Sequence, residues 1–409
     1  MKKTKELKGI TLIALVITIV ILLILAGISI SAITNQGLFE KAKEAKQKYD
    51  DAQKNESIIL ENYLSQMNSI TFSNIDKKKT NPETAMPKGA IVIEGDANKG
   101  IVIKDINDNQ WVWVEEPKTI YGENITKTDY EDIYNALDTY ATDYRNGSNK
   151  QINLNSIDEW YEGCGVESTE EYKGMYNKML SSIYTNGGFW ISRYEIGDSK
   201  ATSSNKTRDS NEEGIAVSKP NQITYNYVLC NQAQEIASKM SNDTTKTSSL
   251  LFGIQWDLVC KFLEEKANLT KDDLKSYSTN WGNYQDASLR LNTGKYNIDP
   301  GNPKSVWNFY NIDTDNYVTN SITSNDENYK QLLTTGASEQ TNKMNIYDFA
   351  GNEWEWTLEH GTANKNYPCV ARGGGYDNKS TRLPAAYRLG RVTNRTSTHY
   401  AFGFRITLY

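Results

Sequence analysis

Of its 409 residues the chain spares only four for cysteine, two for histidine and eight for proline. Cys164, Cys230, Cys260 and Cys369 are scattered without a C-x-x-C spacing, and only His360 and His399 could assist them, so zinc and iron–sulfur centres are excluded. Outside the cytoplasm an even number of cysteines can pair, Cys230 with Cys260 being the first pair to consider. Buried free thiols are the alternative, because a domain of this size needs no staples. No Gly-rich phosphate loop follows a β-prone run, and a Ser/His/Asp triad would rest on spacing alone. Positive charge is also short: 45 Lys and Arg against 51 Asp and Glu leave a net charge of −6. General nucleic-acid binding, which needs a basic surface to displace phosphate counterions, is therefore excluded, although a local basic patch is not.

Charge is missing altogether from Ile10 to Ile33, a run long enough for one bilayer crossing. Lys2, Lys3, Lys5 and Lys8 precede it against a single Glu6, which predicts a cytoplasmic N-terminus and an extracytoplasmic remainder, hence a single-pass cell-membrane protein. A cleaved secretory signal is the rival reading, but the apolar run is too long and Ser29 to Ala32 is a weak cleavage site. Beyond Asn35-Gln36-Gly37, the residues Leu38, Ala42, Ala45, Tyr49, Ala52, Ile59 and Tyr63 share one helical face, predicting an amphipathic spine over 34–68. The polar stretch 69–88, with Pro82 and Pro87, reads as a linker.

What the chain has in quantity is aromatic residues, 26 Tyr and 9 Trp, which predict an aromatic-rich core and exclude disorder. From Gly89 to Tyr409 short β-prone runs such as Gln110-Trp111-Val112-Trp113-Val114 alternate with polar stretches. Two helical stripes interrupt them, one from Tyr225 to Met240 and one through Trp256, Val259, Cys260 and Leu263. This predicts an α+β head over 89–409 with short strands, two helices and long ordered loops.

Two resemblances refine the picture. Lys8-Gly9-Ile10-Thr11-Leu12-Ile13 resembles a type IV prepilin leader, which implies residues 1–9 as leader, 10–33 as transmembrane helix, and cleavage by prepilin peptidase between Gly9 and Ile10. Where pilins carry Glu five residues into the mature chain this one has Ala14, which removes a docking contact of the pilus-like assembly but not the anchor. Asn345-Ile346-Tyr347-Asp348-Phe349-Ala350-Gly351-Asn352-Glu353-Trp354-Glu355-Trp356-Thr357 resembles the signature of the formylglycine-generating-enzyme, or sulfatase-modifying-factor, family, a variant of the C-type-lectin fold. Gly188 to Glu195, Leu250 to Phe262, Arg372-Gly373-Gly374-Gly375-Tyr376 and Gly403-Phe404-Arg405 follow the family order.

Asp348 and Glu355, seven residues apart around Gly351, could offer a Ca²⁺ two carboxylates plus backbone carbonyls. The resemblance implies a structural calcium at those side chains and at the carbonyls of Gly351 and Glu353. Alternatively the carboxylates cap turns or meet arginines such as Arg372. Trp354 and Trp356 alternate with Glu and are read as core. The family's enzymes oxidise a substrate cysteine with a copper-binding cysteine pair just after the Arg-Gly-Gly block. Here that stretch, Gly375 to Pro384, has no cysteine, which speaks against copper and against catalysis.

Binding is the stronger expectation. Residues 370–409 hold seven Lys or Arg against one Asp, about +6, leaving about −12 for the rest. Arg372, Arg388 and Arg405 fall in or near family blocks and are read as architectural. Tyr376, Asp377, Asn378, Lys379, Arg382, Tyr387, Arg391, Asn394, Arg395, His399 and Tyr400 supply the Tyr/Asn/Arg mix of an adaptable recognition surface. The composition is also compatible with diversification by a retroelement. The expected function is thus a displayed, adhesin-like binder of a protein or glycan, with an acidic ligand favoured. A minor pilus subunit and an oxidoreductase with relocated chemistry are the alternatives.

Overall fold

The computed structural model describes residues 12–35, 43, 45–49, 70–145, 156–201, 213–302, 305–309, 317–319, 331–391 and 399–409, of which 12–15, 28–35 and 317–319 by backbone alone. Residues 1–69 and 70–409 form two separate units. The expected cleavage residues Gly9 and Ile10 and most of the expected spine lie outside the described residues.

In the first unit, Leu12–Asn35 is an uncharged α-helix of 24 residues. Its described side chains cover only 16–27 and are exposed, and among the described residues no helix is long and apolar enough to cross a membrane. Lys43 and Ala45–Tyr49 are also helical and exposed.

The second unit is a mixed α/β domain built on two main sheets. The larger has six antiparallel strands in the order Ile91–Glu94, Val102–Lys104, Gln110–Glu115, Gly188–Ser192, Ile406–Leu408, Ser248–Leu250. Its central strands are buried on both faces, which is why Trp111, Val112, Trp113 and Val114 form a continuous apolar run; Trp113 packs edge-on against Trp190 at 4.9 Å. The second sheet runs Arg388–Arg391, Cys369–Arg372, Trp354–Gly361, Phe402–Phe404, with Ser156–Ile157 pairing the far end of Trp354–Gly361. Arg405 stands where the chain leaves this sheet for the first, so the last residues join the two.

The helices depart from the two expected. Gly253–Lys266 lies where the second stripe places it, and Cys230–Ser238 within the first. The sequence reading missed Tyr130–Tyr140 and the 18-residue Thr169–Asn186. The latter buries Tyr172, Met179, Leu180 and Ile183, a face whose tyrosine and methionine blur the apolar periodicity. Its ends are specified locally. Ser168 caps the start by accepting the Glu171 N–H at 3.1 Å, and Gly187 closes the end in the left-handed region at φ 69°. A Cβ on Gly187 would lie 2.1 Å from the Lys79 carbonyl oxygen.

That close approach corrects the expected linker at 69–88. From Ile70 on the chain is part of the head: Thr80 is buried, donates to the Gly187 carbonyl at 2.7 Å and accepts from the Trp113 indole at 2.8 Å, and Pro82–Ala85 is a short helix with both ends buried. Its polar residues satisfy the backbone at the helix end, so low hydropathy here marks packing against main chain. The expected Cys230–Cys260 pair is not formed. All four cysteines are buried free thiols, and the thiol beside Cys230 is that of Cys369.

Candidate functional site

The signature loop is a buried carboxylate hub. Asn345, Asp348, Gly351 and Asn352 all have positive φ, which turns the chain tightly enough to send successive side chains inward. Asp348 accepts from the Gly336 N–H at 2.7 Å and the Thr341 hydroxyl at 2.8 Å. Glu355 is gripped by Arg405, whose Nη2 and Nε lie 2.9 and 3.1 Å from its two oxygens; Arg405 also donates to the carbonyls of Ser192 and Tyr347. Glu195 accepts from the Asn352 side chain at 2.5 Å and the Glu353 N–H at 3.0 Å. Glu353 accepts from Thr224 and Asn226 with one oxygen, while its other oxygen is buried without a hydrogen-bond partner among the described residues. Burial pushes the Glu353 carboxyl up to about 8 and that of Glu355 up to about 7, the latter against the pull of Arg405.

These contacts match the second reading of the signature, in which the carboxylates cap turns or meet arginines. The carboxylates of Asp348 and Glu355, the expected calcium ligands with the carbonyls of Gly351 and Glu353, are committed to Thr341, Gly336 and Arg405. Among the described residues no group of three or more acidic, histidine or cysteine side chains is disposed to hold a metal. The Arg405 guanidinium meets one of these carboxylates, while Asp348, Glu195 and Glu353 lie buried close by without an arginine of their own among the described residues. Trp354 and Trp356 are buried, as read from their alternation, and both stack on Phe402.

A second cluster braces the domain behind the recognition segment. Asp257, on the core helix Gly253–Lys266, pairs with Arg372, Arg388 and Arg145 at 2.6, 2.5 and 2.9 Å; Glu359 pairs with Arg372 and Arg388 at 2.8 and 2.7 Å. Asp158 caps the same helix through the N–H groups of Gly253 and Ile254 and faces Arg145 at 3.7 Å. All are buried or nearly so, and three arginines balance three acids. Sequence reasoning missed Asp257, Glu359 and Arg145; the available signal was a lone aspartate inside an apolar helical stripe.

Above the hub the expected recognition residues converge. The Trp354 indole donates to Asn378 at 2.8 Å, and its ring meets Tyr387 edge-on at 6.0 Å and Phe402 at 6.3 Å. Arg391 lies 5.1 Å over the Phe402 ring, His399 stacks on Tyr400 at 4.2 Å, and Tyr400 meets Tyr227 at 6.4 Å. Lys379 and Arg382 are exposed; Asp377, Asn378, Arg391, His399 and Tyr400 are half-buried. Tyr376 and Tyr387 depart from expectation. They are 0% and 4% exposed and support the surface from beneath, since aromatic rings bury too much apolar area to be left in water when neighbours can cover them. Asn394 and Arg395 lie outside the described residues. Tyr227, from a different part of the chain, joins the patch without any local sequence signal.

The thiols lie in the interior. Hydrogen bonding to Cys369 and burial hold the Cys230 thiol well above its usual range, and burial pushes up Cys164 and Cys260. Protonated buried thiols are poor nucleophiles.

Residues 77–408 match the family model of the sulfatase-modifying factor enzyme 1-like domain. No curated protein matches the chain. A solved structure to which it is similar, the Treponema denticola variable protein 1, shares 13% identity over 54% of this chain and 84% of that one, with a TM-score of 0.30.

Proposed function

We propose, from the premise that this chain belongs to the sulfatase-modifying factor enzyme 1-like family, that it uses the family scaffold as a non-catalytic, displayed ligand-binding head. The observation that carries this reading is the replacement of chemistry by contact surface after Arg372. Gly375 to Pro384 contains no cysteine, while Asn378 bonds the Trp354 indole, Arg391 and His399 lie against Phe402, His399 stacks on Tyr400, and Lys379 and Arg382 are exposed. Cations over aromatic rings suit an acidic protein or glycan. Its Asn- and Tyr-bearing loops are also where retroelement-driven variation could act without disturbing the hub.

Display follows from the charge-free run Ile10 to Ile33 behind four lysines, which supports a single-pass anchor with the head outside. Protease shaving of intact cells, expected to release the head, checks that half of the reading. For the head, a glycan and protein array probed with the chain should give saturable binding that Arg382→Ala or Tyr400→Ala weakens tenfold or more. Oxygen-dependent turnover of a cysteine-containing peptide in the presence of copper would refute the reading.

A further inference from the structure

A groove of about 570 Å³ lies along the outer face of the helix Thr169–Asn186, away from every residue assigned above. Its floor is one helical stripe, positions 174, 177, 178, 181, 182 and 185, small or polar throughout and spaced at three and four residues. Its charged lining is of one sign: Lys127, Lys178 and Lys246, with no carboxylate side chain among the lining residues. That is unusual placement for a chain of net charge −6. Among the described residues none of the three lysines has a carboxylate within ion-pairing distance. Lys178 donates to the Thr247 hydroxyl at 2.5 Å and Lys246 to the Thr84 carbonyl at 3.4 Å, each a single contact for a group with three donors. Of the acids near it, Asp243 spends its carboxylate on the N–H groups of Lys88 and Thr245 and on the Thr245 hydroxyl, and Asp129 accepts from the Thr126 N–H and hydroxyl. Half-burial lowers the Lys246 ammonium from its ordinary value against the pull of Asp243, and Lys178 adds a smaller lowering effect.

Lys127 and Lys178 are exposed and Lys246 is half-buried, so the three ammonium groups repel one another across the groove and a bound counter-charge relieves that repulsion. The hydroxyls of Ser181 and Thr185 and the amide of Asn177 line the same space and supply neutral donors. We infer that this groove binds a tetrahedral oxyanion, a phosphate or sulfate ester carried on a saccharide, with Lys178 and Lys246 meeting the anion and the serine and threonine hydroxyls meeting the sugar. The volume exceeds that of an inorganic ion, which is why an ester on a larger carrier is the class that fills it.

The test is calorimetric titration of the full chain with inorganic pyrophosphate and, separately, with a sulfated disaccharide. Saturable binding is expected for both, tighter for the disaccharide and weaker as salt is raised. Lys178→Gln with Lys246→Gln should weaken it tenfold or more. Ser181→Glu, which keeps both lysines and places a carboxylate in the groove, should do the same if the double variant fails to fold. Lys239→Ala, at an exposed lysine paired with Glu235 and outside both surfaces, should leave it unchanged. Undiminished affinity in the Lys or Ser variants, an equal loss in Lys239→Ala, or no binding of either probe overturns the inference; binding of pyrophosphate but not of the disaccharide overturns the saccharide half.

Discussion

The buried arginines and the exposed ones come from the same forty residues, yet they do opposite things. Arg372, Arg388 and Arg405 are enclosed in the domain with Asp257, Glu359 and Glu355 as partners, whereas Lys379 and Arg382 face solvent and Arg391 lies over an aromatic ring. The segment's formal charge of about +6 is therefore not its surface charge, because three of the seven cations are cancelled internally. The inner group holds two sheets and a core helix in register.

Breaking the inner group should have the largest effect. Arg372→Met strands Asp257 and Glu359 in the core with fewer partners, and urea denaturation should show a loss of about 3–5 kcal/mol. A loss under ~1 kcal/mol would mean that the cluster is not the brace.

The second test uses pH, to which the buried carboxylates respond with opposite signs. Glu359 is pushed up by burial, but Arg388, Arg372 and Arg145 outweigh this and hold it well below its ordinary value, so its contribution is present at neutral pH and fades in acid. Glu353 ionises near its ordinary 4.5 in the unfolded chain but near 8 in the fold. Its contribution is complete below about 4.5 and is lost as pH rises through 8. Glu353→Gln keeps an acceptor for Thr224 and Asn226 and cannot ionise. It should gain stability over the native chain between pH 5 and 9, by on the order of a few kcal/mol at the alkaline end. Parallel pH profiles for the two proteins would remove Glu353 from the account.

The outer group should respond in binding and not in stability. Tyr400→Ala is expected to cost ligand affinity at least tenfold while shifting folding by no more than ~1 kcal/mol. Smallest of all is the effect of Arg382→Ala on folding, within about 0.5 kcal/mol by the same denaturation assay, as for other exposed side chains. If Arg382→Ala unfolded the protein as Arg372→Met does, the division into inner and outer arginines would fail.

Local pattern carried much of this into the sequence. The strand Gln110–Glu115 and the helix Gly253–Lys266 are legible because each buries a run or stripe of apolar residues, and the spacing of such residues reports on the element that contains them. Thr169–Asn186 escaped because its buried face mixes tyrosine and methionine with polar neighbours, although the Ser168 cap and Gly187 stop were there to be read. In the candidate site, the Tyr-, Asn- and Arg-bearing composition of residues 376–400 was legible, and the burial of Tyr376 and Tyr387 was not.

By itself the sequence determined that this chain carries the family's ordered blocks without a cysteine after Arg372, and that a charge-free run precedes the head. Only the tertiary structure decided that Glu355 meets Arg405, that Cys230 lies beside Cys369 and not Cys260, and that residues 70–88 belong to the head. The physical reason is range. Periodicity encodes which side of an element is buried, a property of neighbours three or four residues apart. Which groups a buried charge or thiol meets is set by segments fifty to more than a hundred residues away, as with Arg405 and Glu355 or Arg372 and Asp257.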